Sequence, residues 1–208
     1  MPADADRRLL EAPAHVVAPL LLGAVLTHVT PDGAVAVRLT EVEAYEGEGQ
    51  DPGSHAHRGR TPRTAVMFGD PGHLYTYFTY GMHTCANITC LPSGRASAVL
   101  LRAGEVVAGE ALAQRRRTTA KRAAELARGP ARLVVALGIV LADGGSDVLT
   151  PPFGLRLAPV APEAVSAGPR VGVSGEGGDG DRFPWRFWIT GDPTVSPYRP
   201  GKARLRSG

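Results

Sequence analysis

The segment from Ala34 to Tyr45 carries the clearest pattern in the chain, because apolar and polar residues alternate through it. A period of two residues is typical of a β-strand with one buried face. Unbroken alternation would put two carboxylates on the apolar face, where they are costly without polar partners. A bulge or an edge position that lets both glutamates reach water is the alternative. The residues expected to share this face are Val35, Val37, Leu39, Glu41, Glu43 and Tyr45.

Two further segments predict a β-hairpin. Its strands cover His73 to Thr79 and Met82 to Thr89, so that Tyr80 lies at the turn between them. Another apolar strand is predicted from Ala98 to Arg102. The tyrosines that share one face of the first hairpin strand are Tyr75 and Tyr77.

Helical patterns appear near the N-terminus and in the middle of the chain. The stretch from Pro19 to Gly23 predicts a short helix with the proline in its first turn and the glycine at its end. We predict helices from Glu105 to Arg117 and from Thr119 to Arg128, and a third that restarts after Gly129-Pro130 and runs toward Gly138.

The remaining strands complete the prediction of fold class. Short apolar segments from Leu155 to Val160, Arg170 to Val173 and Phe187 to Thr190 are strand-like within a Gly- and Pro-rich region. Strands before and after a helical block, without βαβ alternation, predict an α+β domain with a largely antiparallel sheet.

Size and composition favour one domain over residues 1–208, with mobile tails at 1–10 and 199–208. The chain has 208 residues, of which 43% are hydrophobic and 21% charged, as in ordinary globular proteins. Its net charge of +3 permits a polyanionic partner without requiring one. Nearly all positive charge is arginine, since the only lysines are Lys121 and Lys202. Arginine suits phosphate contacts, but GC-rich coding explains this composition equally well.

Several features predict a cytoplasmic protein with no membrane association. Cys85 and Cys90 are too few for a disulfide framework, and on one extended strand they could not bridge. Met1 to Glu11 lacks the layout of a signal peptide. The most apolar run, Val16 to Leu26, is interrupted by Pro19 and is shorter than the roughly 20 residues that span a bilayer.

The polar loop from Glu46 to Thr64 leaves one hydrolytic possibility open. Loops of this length inside compact domains are often functional, and this one contains a His-x-His pair. A catalytic zinc site needs three or four converging ligands, so the pair alone is weak evidence. The candidate ligands are His55, His57, Asp51, His73 and His83, and the arginines of the loop are Arg58, Arg60 and Arg63.

The tyrosines and the strand glutamates indicate a second possibility, a pocket for a nucleobase. Proteins that act on a base pull it out of the stack and hold it between aromatic faces. They also fill the gap in the duplex, typically with an inserted side chain. A glutamate directed into such a pocket could activate water. Each group also has a purely structural explanation. The glutamates suit a solvated strand edge, the histidines suit a polar loop, and tyrosine is a favoured strand residue.

A series of spaced blocks decides between these possibilities. They are Glu41–Tyr45 (EVEAY), Ser54–Gly59 (SHAHRG), Thr61–Arg63 (TPR), Met67–Phe68 (MF), Tyr75–Gly81 (YTYFTYG), Cys85–Asn87 (CAN) and Leu100–Arg102 (LLR). In this order they resemble the alkyladenine/3-methyladenine DNA glycosylase family in a compact bacterial form. The similarity continues more thinly to Ile189.

The resemblance implies roles for three catalytic positions. Glu43 matches the general base that activates the water attacking the sugar C1′. Arg102 matches the arginine that helps to hold that water, and Ile189 matches a residue whose backbone carbonyl does the same. A carboxylate near C1′ also suits the oxocarbenium-like state of glycosidic cleavage.

Five further positions match residues that bind DNA. Tyr45, His55 and Tyr77 match side chains that stack on or contact the flipped base. Tyr80 matches the residue that intercalates in place of the extruded nucleotide. Asn87 matches the pocket residue that disfavours normal guanine.

The resemblance therefore implies a monomeric enzyme of base excision repair that needs no cofactor. Its partner is double-stranded DNA containing damaged purines, of the 3-methyladenine, 7-methylguanine and hypoxanthine class. Its fold is a curved antiparallel sheet with flanking helices and a protruding hairpin that inserts into DNA. Because Lys121 and Lys202 lie outside every block, we expect hydrolysis without strand cleavage. A DNA-binding module that has lost catalysis is the remaining alternative. Ala131 departs from the family, since a glycine is common there.

Overall fold

The computed structural model describes residues 3–4, 7–79, 81, 83–158 and 160–201, which contain ten strands and three α-helices. They form a single α+β domain, as predicted. The helices are α1 (Ala14–Leu21), α2 (Glu110–Arg116) and α3 (Pro130–Leu137). The strands are β1 (Ala3–Asp4), β2 (Val25–Thr30), β3 (Gly33–Tyr45), β4 (Leu74–Thr79), β5 (His83–Thr89), β6 (Ala98–Ala108), β7 (Ala127–Arg128), β8 (Phe153–Leu157), β9 (Val165–Gly168) and β10 (Arg186–Ile189).

The strands form one open sheet whose longest member, β3, lies at its centre. The order is β1-β8-β2-β3-β6-β5-β4, and every pairing is antiparallel. β2 pairs with the first half of β3, β10 pairs with its second half, and β6 runs along its other edge. β9 extends the sheet beyond β10, and β7 pairs with β6. The core lies between this sheet and the helices. The hairpin of β4 and β5 is present as predicted, apart from residues 80 and 82, which lie outside the described part.

Helix α1 begins five residues before Pro19, so the prediction that this proline lies in the first turn is wrong. The helix follows Pro13, and side chains from distant segments bind its first free amides. The Ala14 amide donates to the Ser97 hydroxyl at 2.8 Å, and the His15 amide donates to Glu46 at 3.1 Å. Because these partners are distant in sequence, the local sequence does not predict where the helix begins. The predicted end is confirmed, because the chain turns at a glycine with φ of 81°.

The predicted helix from Glu105 to Arg117 is partly wrong, because β6 continues to Ala108. Pairing with β3 extends the strand, and α2 begins only after Gly109, whose φ is 75°. The predicted helix from Thr119 to Arg128 is absent. That segment contains one turn of 3-10 helix and then β7, which pairs with β6. In both places tertiary strand pairing overrides local helix preference. The third prediction is confirmed by α3, which a left-handed glycine ends.

The later strands follow the predictions with two exceptions, of which one is β9, a strand that was not predicted. β8 and β10 each lie within a few residues of the predicted segments, but Arg170 to Val173 forms a turn instead of a strand. The two cysteines are both free and buried, in agreement with the prediction that they do not bridge. No helix among the described residues is both long enough and apolar enough to cross a membrane.

Candidate active site

A β-bulge in β3 determines on which face of the sheet the side chains of Glu41 and Glu43 lie. Leu39 pairs with Gly104 and Glu41 with the adjacent Ala103, so Thr40 is an extra residue without a partner on β6. An extra residue reverses the faces of all that follow it. The predicted unbroken alternation is therefore wrong. The β3 residues in the main core are Val35, Val37 and Leu39 before the bulge, and Val42 and Ala44 after it.

The same rearrangement puts an arginine beside the glutamates. Glu41 pairs with Ala103 and Val42 with Leu101, which leaves Arg102 as the extra residue on β6. The expected bulge is present, but neither carboxylate is exposed to bulk solvent, because Glu41 and Glu43 are both 0% exposed. They must therefore be satisfied by protein groups.

Glu41 is the anchor of a buried charge cluster. Its Oε1 accepts hydrogen bonds from Arg102 Nε at 2.9 Å and from Arg186 Nε at 2.7 Å. The Ser196 amide and hydroxyl donate to the same carboxylate at 2.7 and 2.9 Å. Burial acts to raise the pKa of Glu41, but the two arginines and the serine outweigh it and lower that pKa. Burial likewise opposes the charge of Arg102, but Glu43 and Glu41 raise its pKa. Glu41 and Arg102 are therefore both charged.

Glu43 lies at the wall of a pocket and accepts bonds at both oxygens. The Val171 amide donates to Oε1 at 2.7 Å, and the Tyr45 hydroxyl donates to Oε2 at 2.8 Å. Arg102 Nη1 lies 3.4 Å from Oε1. Burial and then the charge of Glu43 raise the pKa of Tyr45 well above its ordinary value, so the phenol keeps the proton that it donates. The carboxylate is thus fixed in position by three donors.

The pocket has a volume of about 380 Å³, within the range of small-molecule sites. A row of directly opposed residues crosses the sheet beneath it, from Tyr75 on β4 through Asn87 and Leu100 to Glu43 on β3. Opposed residues of antiparallel strands share a face. This register therefore gives the pocket its floor. Its remaining walls include Gly53, Ser54, Met67, Pro130, Ala131 and Val171–Val173.

Aromatic rings form one wall of the pocket. The His55 ring meets the Tyr77 ring edge-on at 4.6 Å, and the Tyr75 and Tyr77 rings stack at 5.5 Å. His55 Nδ1 is 3.0 Å from the Tyr75 hydroxyl, and Arg63 bonds to Nε2 at 3.3 Å. Loss of hydration among these groups, and then the charge of Arg63, lower the pKa of His55 to about 4. Burial raises the pKa of both Tyr75 and Tyr77. The wall is therefore uncharged at neutral pH, apart from Arg63.

Most of the predicted site residues meet in this pocket. Asn87 is 4% exposed, and its amide donates to the Tyr75 carbonyl at 3.0 Å. Tyr80 lies outside the described residues, so its predicted role stays a prediction. The predicted residues that line the pocket are Glu43, Tyr45, His55, Tyr77, Asn87 and Arg102.

Ile189 is the exception, because the structure places it elsewhere. It lies in β10, pairs with Val165 and packs against the main core instead of lining the pocket. The backbone beside Glu43 belongs to Val171. Sequence reasoning missed this residue because a peptide group gives no residue-type signal. The signal in the sequence was the Arg170–Val173 segment, which was predicted as a strand.

The candidate zinc ligands do not converge. Asp51 forms a buried ion pair with Arg170, with 2.6 and 2.7 Å between their atoms. His55 is committed to Tyr75 and Arg63. Among the residues that the structure describes, no group of three or more His, Cys, Asp and Glu side chains could hold a metal ion.

Comparison with known proteins agrees with this geometry. A family profile described as methylpurine-DNA glycosylase (MPG) matches residues 8–193. A protein of Leifsonia xyli is 64% identical over 187 residues, which are 88% of this chain and 87% of that relative. A Streptomyces avermitilis protein is 56% identical over 96% of this chain and 94% of its own length. A Nocardia farcinica protein is 53% identical over 90% of each chain. All three are named "Putative 3-methyladenine DNA glycosylase". The chain thus belongs to the methylpurine-DNA glycosylase family.

Proposed function

We propose that this chain is a monofunctional DNA glycosylase that initiates base excision repair. It flips alkylated or deaminated purines, of the 3-methyladenine, 7-methylguanine and hypoxanthine class, out of duplex DNA. It then hydrolyses the N-glycosidic bond with a water molecule that Glu43 activates. The protein acts as a cytoplasmic monomer and without a cofactor.

The observation that carries this proposal is the position of Glu43. Its fully buried carboxylate lies at the wall of a pocket whose opposite side consists of stacked tyrosines and a histidine. A flipped purine stacked on these rings would bring its sugar toward the carboxylate. A general base must lie within hydrogen-bond reach of the proton it removes, and proximity is the first condition for that role.

The neighbours of Glu43 suit both parts of the reaction. The carboxylate takes a proton from water as the water attacks C1′, and its negative charge stabilises the oxocarbenium-like state. Arg102 lies 3.4 Å from the same carboxylate and helps to hold the water. The Val171 amide adds a backbone hydrogen bond to Glu43 itself, which differs from the water-holding backbone carbonyl that the sequence analysis expected at Ile189.

The aromatic wall explains why damaged purines are the expected substrates. Alkylation at a ring nitrogen makes a purine cationic, so that it gains cation–π attraction from tyrosine rings and leaves readily. Asn87 lies on the pocket floor, where it disfavours the exocyclic amine of normal guanine. The role that the sequence predicts for Tyr80 is to fill the gap in the duplex.

The expected reaction stops at base release. Strand cleavage by a glycosylase needs an amine nucleophile that forms a Schiff base. Lys121 is exposed and does not line the pocket, and Lys202 lies outside the described residues. A module that binds DNA without excising a base is the competing possibility, and base release separates the two.

The decisive experiment measures free base released from methylated duplex DNA by the wild-type protein and by Glu43→Gln. We expect the variant to bind the same DNA but to lose at least about a hundredfold in excision rate, as for removal of a general base. Glu48→Gln is the matched control, because Glu48 is exposed and lies outside the pocket. Parallel reactions contain EDTA.

Each outcome has a distinct meaning. Release that persists in EDTA and disappears only in Glu43→Gln supports the proposal. Equal release by the wild type and Glu43→Gln would remove Glu43 from the mechanism. Binding without release by the wild type would leave a DNA-binding module, and inhibition by EDTA would return attention to His55 and His57.

A further inference from the structure

The segment from Asp192 to Gly201 contacts the active site at two places, the buried charge cluster and the pocket wall. Ser196 belongs to the buried cluster of Glu41 and Arg102. Farther along, the Arg199 carbonyl accepts a hydrogen bond of 2.9 Å from the Gly172 amide. Gly172 is itself part of the pocket wall. The C-terminal segment therefore supports the pocket from outside.

Ser196 holds the end of the Arg102 side chain that points away from Glu43. Arg102 Nη2 donates to the Ser196 hydroxyl at 3.2 Å, and Arg102 Nε donates to Glu41 at 2.9 Å. The Ser196 hydroxyl also donates to Glu41, at 2.9 Å. These contacts engage Nε and Nη2, which form one edge of the planar guanidinium, and Nη1 lies 3.4 Å from Glu43. One hydroxyl thus fixes both the arginine and its anchor.

We propose that Ser196 is a positioning residue for glycosidic cleavage, acting through Glu41 on the orientation of Arg102. This inference rests on the proposed function. Without the hydroxyl, the guanidinium plane has one fewer constraint, and Nη1 is free to move relative to Glu43. Small displacements of groups that align reactants are costly, reaching about a hundredfold in rate for about 1 Å. The effect should appear in the chemical step and leave DNA binding unchanged, because Ser196 does not line the pocket.

Thr194 provides a matched control in the same segment. It is 3% exposed, compared with 8% for Ser196, and its hydroxyl is also bonded. Its partners are Thr40 at 2.7 Å and Asp192 at 2.6 Å, whereas the side-chain hydrogen bonds of Arg102 go to Glu41 and Ser196. Thr194→Ala therefore removes a comparable buried hydroxyl without altering the contacts of the arginine.

The experiment compares Ser196→Ala and Thr194→Ala with the wild-type protein on methylated duplex DNA. The measurements are the single-turnover excision rate, the dissociation constant for the same DNA and the urea midpoint. We expect Ser196→Ala to lower the rate about tenfold with less than a twofold change in the dissociation constant. Thr194→Ala should lose stability but keep the wild-type rate. Ser196→Cys preserves volume with a weaker hydrogen-bonding group, so its rate should be intermediate.

The outcomes separate this inference from the proposed function. If the wild type releases no base, the proposed function fails. If it does release base and Ser196→Ala matches it, the positioning role is wrong. The role is also wrong if both alanine variants slow equally, since that result indicates general loosening of the segment. Should Ser196→Ala fail to fold, a wild-type rate for Ser196→Cys would overturn the proposal.

Discussion

His55 shows how the pocket controls charge at the scale of one residue. Its pKa is lowered to about 4 from an ordinary value of 6.5, first by loss of hydration and then by Arg63. The ring is therefore neutral at physiological pH, and it offers an aromatic surface without competing with a cationic purine. Tyr45 and Tyr77 keep their phenol protons for a related reason, because burial raises the pKa of each.

This shift predicts a dependence of stability on pH. The unfolded chain binds a proton on His55 near pH 6.5, whereas the folded chain does so only near pH 4. Between these values the unfolded state binds more protons, so the free energy of unfolding falls as the pH falls. His55→Gln removes the titration, and urea unfolding at pH 7 and pH 5 should show a smaller loss for the variant. The other five histidines are common to both proteins. An equal loss in both would contradict the shift.

Residues that contribute a side chain were the ones whose shared location could be predicted, while their catalytic roles stay predictions. Glu43, Arg102 and His55 stood out by residue type and by their order in the chain, and they meet in one pocket. Val171 was missed because its contribution is a peptide amide, which every residue except proline possesses. Ser196 was missed as well, since a serine in a Pro-rich C-terminal segment looks like ordinary loop composition.

At the scale of an element, β3 depends on a glycine in its neighbour. Gly104 lies opposite the residue before the bulge, and a Cβ atom there would come within 2.3 Å of Val37 Cγ1 and 2.5 Å of the Arg38 carbonyl oxygen. The position of the bulge could not be predicted from β3 alone, because it is defined by how β3 pairs with β6. The bounds of β3 were predicted almost to the residue, since they follow from its own alternation.

Gly104→Ala should therefore destabilise the protein by about 1–3 kcal/mol, as expected for overpacking against backbone. Gly154→Ala is the control. That glycine also lies in a strand, but its Cβ would meet nothing within 4 Å, so a change below about 1 kcal/mol is expected. Urea denaturation of both variants provides the measurement. Similar midpoints for the two would show that the close approach is not what restricts position 104.

At the scale of the whole molecule, one buried ion pair joins segments far apart in the chain. Arg170 and Asp51 are fully buried, and the guanidinium also donates to the carbonyls of Ala44 and Gly177. The Arg170 guanidinium carbon lies 4.5 Å from the centre of the Tyr45 ring. β3, the loop after it and the Gly-rich region thus meet at one arginine, which precedes the residue that bonds to Glu43.

Asp51→Ala should cost about 3–5 kcal/mol of unfolding free energy, because it leaves a buried arginine without its counter-charge. Glu176→Gln weakens an ion pair with Arg182 in which both side chains are more than half exposed, so its cost should stay below about 1 kcal/mol. Chemical denaturation distinguishes the two. A loss for Asp51→Ala no larger than that for the surface variant would refute the structural role of the pair.

The α+β class and antiparallel sheet were predictable because strand periodicity survives along most of the chain. The predicted helix from Thr119 to Arg128 failed, and the one from Glu105 to Arg117 was predicted to begin too early, because β6 and β7 gain their partners from elsewhere in the sheet. The prediction of tails at 1–10 and 199–208 remains a prediction. Within those ranges, Leu10 is buried in the core and Arg199 contacts the pocket wall.

The extra residue in β3 divides one strand into two halves that both contribute to the main core. The first half contributes Val35, Val37 and Leu39, whereas in the second half Val42 and Ala44 alternate with the residues of the active site. Directed evolution could therefore repack Val35, Val37 and Leu39 for thermal tolerance without shifting the register of the reactive carboxylate. A one-residue insertion or deletion between the halves would exchange the inward and outward faces of the second half. Length variation should thus be selected against here far more strongly than substitution.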